Sequence, residues 1–105
     1  MDTRDITLSQ STIDYGHISF AGTDASFFPK DSFGDHGRKG GRGLPVVFDA
    51  GDFTFETDIR VMSGKRISPR KSFASYLKSV RARAGDILHV TRVAGREYLV
   101  EHVRS

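Results

Sequence analysis

The chain has 105 residues, with 16 Lys+Arg against 13 Asp+Glu, a net charge of +3, and neither Cys nor Trp. That length makes one domain, and the lack of cysteine excludes a disulfide framework, a thiolate zinc site and a cysteine nucleophile. No run approaches the roughly 18 to 20 apolar residues that span a bilayer, and Asp2, Arg4 and Asp5 precede any apolar stretch. A membrane partner is therefore not expected, and a cytoplasmic location fits.

In chain order, residues 6–9, 17–20 and 26–28 are long enough only for short strands separated by polar loops. A helical turn is expected after Pro29, through 30–33, stopping at Gly34. Residues 34–43 hold five glycines and no apolar side chain, which predicts a flexible Gly/Arg-rich loop. It is no P-loop, because Gly-Lys-Ser/Thr is absent. Its Arg38, Lys39 and Arg42 either follow a phosphate backbone or belong to a plain connection. Residues 45–48 form an apolar run, and Asp49-Ala50-Gly51 supplies a turn. Across 52–62, Phe53, Phe55, Thr57, Ile59 and Val61 alternate with Asp52, Thr54, Glu56, Asp58 and Arg60, a period of two with one apolar face. The two runs read as an antiparallel hairpin.

Phe73, Tyr76, Leu77 and Val80 recur at i, i+3, i+4 and i+7, the spacing of one helix face. Ser68 is placed to cap that helix and Pro69 to open it. Residues 86–93 and 97–103 complete a second hairpin across Ala94-Gly95-Arg96. Many short strands with one or two short helices place the chain in a mainly β class, curled into a barrel or half-barrel to protect its edges.

The net charge conceals a segregation. Residues 1–59 sum to −5, residues 60–84 carry eight bases and no acid, and residues 85–105 balance. Gathered on one face, that block is a footprint for a polyanion. Spread out, it is a solvated helix face and a turn.

No catalytic signature stands out. His17, His36, His89 and His102 lack metal-ligand spacing. Asp49, Asp52, Glu56 and Asp58 invite a metal-nuclease reading, but Asp52, Glu56 and Asp58 share one strand face with Arg60, which suits a cross-strand ion-pair ladder better. No Gly-x-Ser-x-Gly elbow is present. Neither an enzyme nor a bound cofactor is expected from this chain alone.

The most informative stretch is 60–71, Arg-Val-Met-Ser-Gly-Lys-Arg-Ile-Ser-Pro-Arg-Lys, where five cations surround a loop with Gly64 at its tip. Such a projecting loop can enter a major groove, where Arg reads guanine O6 and N7 in bidentate fashion.

Five segments occur in a recognisable order: 26–34 (Ser-Phe-Phe-Pro-Lys-Asp-Ser-Phe-Gly), 53–59 (Phe-Thr-Phe-Glu-Thr-Asp-Ile), 66–73 (Arg-Ile-Ser-Pro-Arg-Lys-Ser-Phe), 84–90 (Ala-Gly-Asp-Ile-Leu-His-Val) and 97–100 (Glu-Tyr-Leu-Val). Together they resemble the DNA-binding pseudobarrel superfamily, which contains the plant B-three domain and recognition domains of restriction endonucleases such as EcoRII and BfiI. The resemblance covers about residues 6–103 and implies an open seven-stranded pseudobarrel that recognises specific double-stranded DNA sequences. In that family two loop arms grip the major groove. Here the N-arm falls at 21–26 and the C-arm at 62–71.

The resemblance implies DNA contacts by Thr23, Asp24 and Ser26 in the first arm, with Asp24 able to accept from a cytosine amino group. In and beside the second it implies Arg60, Ser63, Lys65, Arg66, Ser68, Arg70 and Lys71. Lys30, Lys71 and Lys78 are expected at phosphates. The basic glycine loop has no plant counterpart, which favours the restriction-enzyme branch. A monomeric recognition domain with a fused or separate nuclease is then expected. The competing reading is a small β-barrel adaptor for RNA or an acidic protein, although Phe53 and Phe55 face inward and offer no stacking platform.

Overall fold

The computed structural model describes residues 2–34, 43–62 and 66–104. Along it run β1 (Thr3–Thr7), α1 (Gln10–Tyr15), β2 (Phe20–Ala21), 3-10 turns at Gly22–Phe27 and Lys30–Ser32, β3 (Val46–Asp49) and β4 (Thr54–Thr57). β5 (Ile59–Met62), β6 (Arg66–Pro69), α2 (Ala74–Ser79), β7 (Ile87–Ala94) and β8 (Glu97–Val103) follow. The strands form a five-stranded sheet, β1-β7-β8-β3-β4, and a three-stranded sheet, β2-β6-β5. Of the named strand pairs, β3 and β8 run parallel and the others antiparallel. The sheets remain open rather than closing into a barrel, so the mainly β pseudobarrel architecture holds, with eight strands in place of seven among the described residues.

Both expected hairpins are present, because period-two burial selects one face of each strand for the core. Phe48, Leu88, Val90, Tyr98 and Val100 line the inner face of the large sheet, while Phe20, Ile59 and Ile67 line that of the small one. Without Cys or Trp, cohesion comes largely from aromatic rings. Phe28 lies 5.1 Å from the ring centroids of Phe20, Phe27 and Tyr98, and Phe55 stacks on Phe73 at 4.2 Å. Such pairs each add about 0.5–1.5 kcal/mol beyond their buried area.

The Tyr98 hydroxyl donates to the Phe27 carbonyl at 2.5 Å, tying β8 to the end of the first 3-10 turn. Burial pushes its pKa up to about 12, against a smaller lowering by Arg92 and Arg96.

Several local expectations are corrected. The run 52–62 is two strands, because Asp58, only 6% exposed, interrupts it where the chain passes from the large sheet to the small one. Asp58 thus leaves the outer face and cannot join an ion-pair ladder with Arg60. Ser68 is no helix cap: 66–69 pairs with β5 as β6, and α2 begins only at Ala74, with Phe73 in the cap position. Pairing on both sides of β6 outweighs the helix-start signal of Ser-Pro. Residues 26–28 enter a 3-10 turn instead of a strand, whereas the turn after Pro29 forms as expected. The predicted loop at 34–43 lies mostly outside the described residues.

Helix α1 was not foreseen, although its ends are marked. Ser9 Oγ accepts the Thr12 N–H at 3.1 Å, and Gly16 closes the helix at φ 76°. A side chain at Gly16 would also place Cβ 2.3 Å from Ala74 N and from Ser72 Oγ. The close approach lets the Gly16 carbonyl accept the Phe73 N–H at 2.8 Å, seating α1 against the start of α2.

Candidate nucleic-acid interface

The small sheet organises the candidate surface. In its register Arg66 pairs with Ala21 on one side and Met62 on the other, while Arg60 pairs with Ser68. Strand alternation therefore gives Arg60 and Arg66 one face, with Ala21, and gives Phe20, Ile59, Val61 and Ile67 the opposite, core-directed face. Arg66 is exposed, and its Nη1 donates to Ser19 Oγ at 2.8 Å, a neutral partner; among the described residues it makes no ion pair.

Opposite Arg66 stands the 3-10 turn, whose Asp24 accepts from Arg4 Nε at 3.0 Å. Arg4 is itself held by β1, by a bond from its Nη1 to the Thr3 carbonyl at 2.9 Å and by the Phe27 ring, 4.8 Å from its guanidinium carbon. Arg4, Thr12, Ser19, Asp24 and Arg66 line a common recess of about 700 Å³. Asp24, from the segment 21–26, and Arg66, from β6, thus line the same recess.

The remaining predicted residues separate. Ser26 and Lys30 are exposed beside the first arm. Thr23 lies on the 3-10 turn. Ser63 and Lys65 lie outside the described residues. Arg60 is half-buried, and its Nε is shielded from solvent without an acceptor. Ser68 is buried, its hydroxyl donating to the Ile18 carbonyl at 2.5 Å, so it presents nothing to a ligand here.

Arg70 grips Asp58 through two bonds, Nε to Oδ1 at 2.7 Å and Nη2 to Oδ2 at 3.0 Å. Burial raises the Asp58 carboxyl, but the Arg70 bonds and charge and the Gly43 N–H outweigh it and hold the group below its ordinary 3.8. Arg70 is therefore the counter-ion of a buried carboxylate. Lys71 is exposed, with its backbone N–H on Thr57 Oγ1 at 3.0 Å. Lys78 sits at the end of α2, and Arg81 and Arg83 follow it. The basic block is thus spread over β5, β6, the turn after β6, and α2 with its exit.

Arg4 and Ser19 escaped the sequence reading. Arg4 lies in an acidic stretch 20 residues from Asp24, and Ser19 lies 47 residues from Arg66, so no local pattern joins them. Among the described residues no group of three or more His, Cys, Asp or Glu could hold a metal ion. His89 Nδ1 and His102 Nε2 instead pair with Asp5 and Asp86 at 2.6 and 2.7 Å.

No protein-family model and no curated protein matches the sequence. The fold is nonetheless similar to those of several solved structures. The Arabidopsis FUS3–DNA complex superposes with a TM-score of 0.69 at 12% identity, covering 97% of this chain and 96% of that one. The N-terminal domain of Helicobacter pylori LlaJI.R1 superposes with a TM-score of 0.65 at 17% identity, covering 98% and 88%. The chain has the B-three-like pseudobarrel fold.

Proposed function

We propose that this pseudobarrel recognises specific sequences in double-stranded DNA through the major groove, with the turn at 21–26 and the β5–β6 hairpin as its two arms. The observation that carries this reading is the meeting of segments 21–26 and 66–69 at one recess, where Arg66 is exposed and, among the described residues, has no carboxylate partner. The fold supports it further, since one solved structure of this fold is a DNA complex.

In this reading Arg66 is the base-reading cation, with a guanidinium suited to guanine O6 and N7. Asp24 is the complementary acceptor, held in place by Arg4, and Ser26 adds a hydroxyl at the edge. Arg60 and Lys30 meet phosphates. The chain carries no catalytic step, and cleavage, as in the restriction enzymes that the sequence resembles, falls to a fused domain or a separate subunit.

Selection of bound duplexes from a random pool tests the proposal directly. One consensus sequence is expected, and its gel-shift affinity should fall with salt at a log–log slope of about −3, as the three DNA-directed cations require. Equal affinity for all duplexes would remove sequence specificity. Tighter binding to single-stranded RNA would favour the adaptor reading, and magnesium-dependent cleavage by the isolated chain would end the non-catalytic assignment.

A further inference from the structure

A second recess between the arms, of about 510 Å³, has a different chemistry. Ala25 comes from the first arm, Val61 and Ile67 come from the second, and Phe28 lies between them. Phe28 and Ile67 are each 3% exposed and form the floor, while the exposed Lys30 supplies a charged rim. The origin of this apolar floor is the core face of the small sheet. Ile59 is 0% and Ile67 3% exposed, but Val61, on the same face, is 43% exposed. The core face runs out from under its cover at Val61.

We infer that this recess receives the C5-methyl group of a thymine in the major groove, an assignment that rests on the DNA-binding reading above. In that groove the pyrimidine methyl is the apolar group on offer, and a polar base edge seated on Val61 and Phe28 would lose its water without gaining a partner. The exposed Lys30 at the rim suits a phosphate beside that base.

The test uses the selected consensus duplex, with each thymine replaced in turn by uracil, which removes the methyl and keeps O4. At one position the chain should bind about 3- to 10-fold more weakly, and Val61→Ser should abolish that difference while Arg66→Ala leaves it in place. A duplex that binds equally well with every thymine replaced overturns the inference but leaves DNA recognition standing. So does a thymine–uracil difference that persists in Val61→Ser. Stronger binding of 5-methylcytosine than of thymine at that position would overturn the thymine assignment. Failure to bind any duplex would overturn the inference and the function together.

Discussion

Arg66 and Arg70 stand four residues apart in one basic run, yet they belong to regions with opposite electrostatics. At its recess, among the described residues, Arg66 makes one side-chain hydrogen bond, to the Ser19 hydroxyl. In the turn after β6, Arg70 faces Asp58, whose side chain is 5% exposed and which also accepts the Gly43 N–H at 3.0 Å. A carboxylate so buried must be paired, and its partner is spent on stability. Whether a cation can serve a ligand therefore depends on what the fold sets against it, and local charge density is a poor guide.

That contrast can be broken at either end. The largest effect is expected from Arg70→Ala, which strands the Asp58 carboxylate. Because the Arg70 side chain is 33% exposed, the loss is discounted to about 2–3 kcal/mol. For a domain of this size that lowers Tm by about 10–20 °C in a thermal melt. The DNA preference of the remaining folded protein should be unchanged.

Acid sharpens the same point. The folded pKa of Asp58 is depressed, so its contribution is present above the ordinary 3.8 and is lost as pH falls from there through the folded value. Urea unfolding should accordingly show the wild-type advantage over Arg70→Ala shrinking as pH falls into and through that interval. A gap that widens in acid would contradict the pairing.

Arg66→Ala should do the reverse of Arg70→Ala. Stability should stay within about 0.5 kcal/mol, while binding to the selected duplex weakens by about 1–3 kcal/mol and preference relaxes at one base pair. The smallest effect belongs to Asp24→Asn, which releases Arg4 from a half-exposed ion pair at 3.0 Å. Stability should shift by less than about 1 kcal/mol, and the salt dependence of binding should steepen by about one unit as Arg4 becomes available to phosphate.

Much of the fold was legible because burial acts residue by residue. The alternation that ends at Ile59, the helical spacing of Phe73, Tyr76, Leu77 and Val80, and the C-terminal hairpin each record a face turned toward the core. Helix α1 was missed because its six residues carry no fully buried side chain, so the apolar period that betrays α2 is absent. The site was legible only in part. Ser68 and Arg70 stand beside Arg66 in the basic run, yet the fold buries the Ser68 hydroxyl on the Ile18 carbonyl and sets Arg70 against Asp58.

Sequence alone determined which faces of the two hairpins and of α2 carry apolar residues, that the class is mainly β, and that cations concentrate after residue 59, since composition and periodicity are properties of neighbours in the chain. Tertiary structure decided the rest: that the strand run breaks at Asp58 to change sheets, that Arg70 is neutralised there, and that Arg4 and Asp24 meet Arg66 across one recess. These outcomes depend on contacts between residues separated by 12, 20 and 47 positions, such as Asp58 with Arg70, Arg4 with Asp24, and Ser19 with Arg66. Such pairs form only after the sheets have chosen their neighbours, so no local pattern carries them.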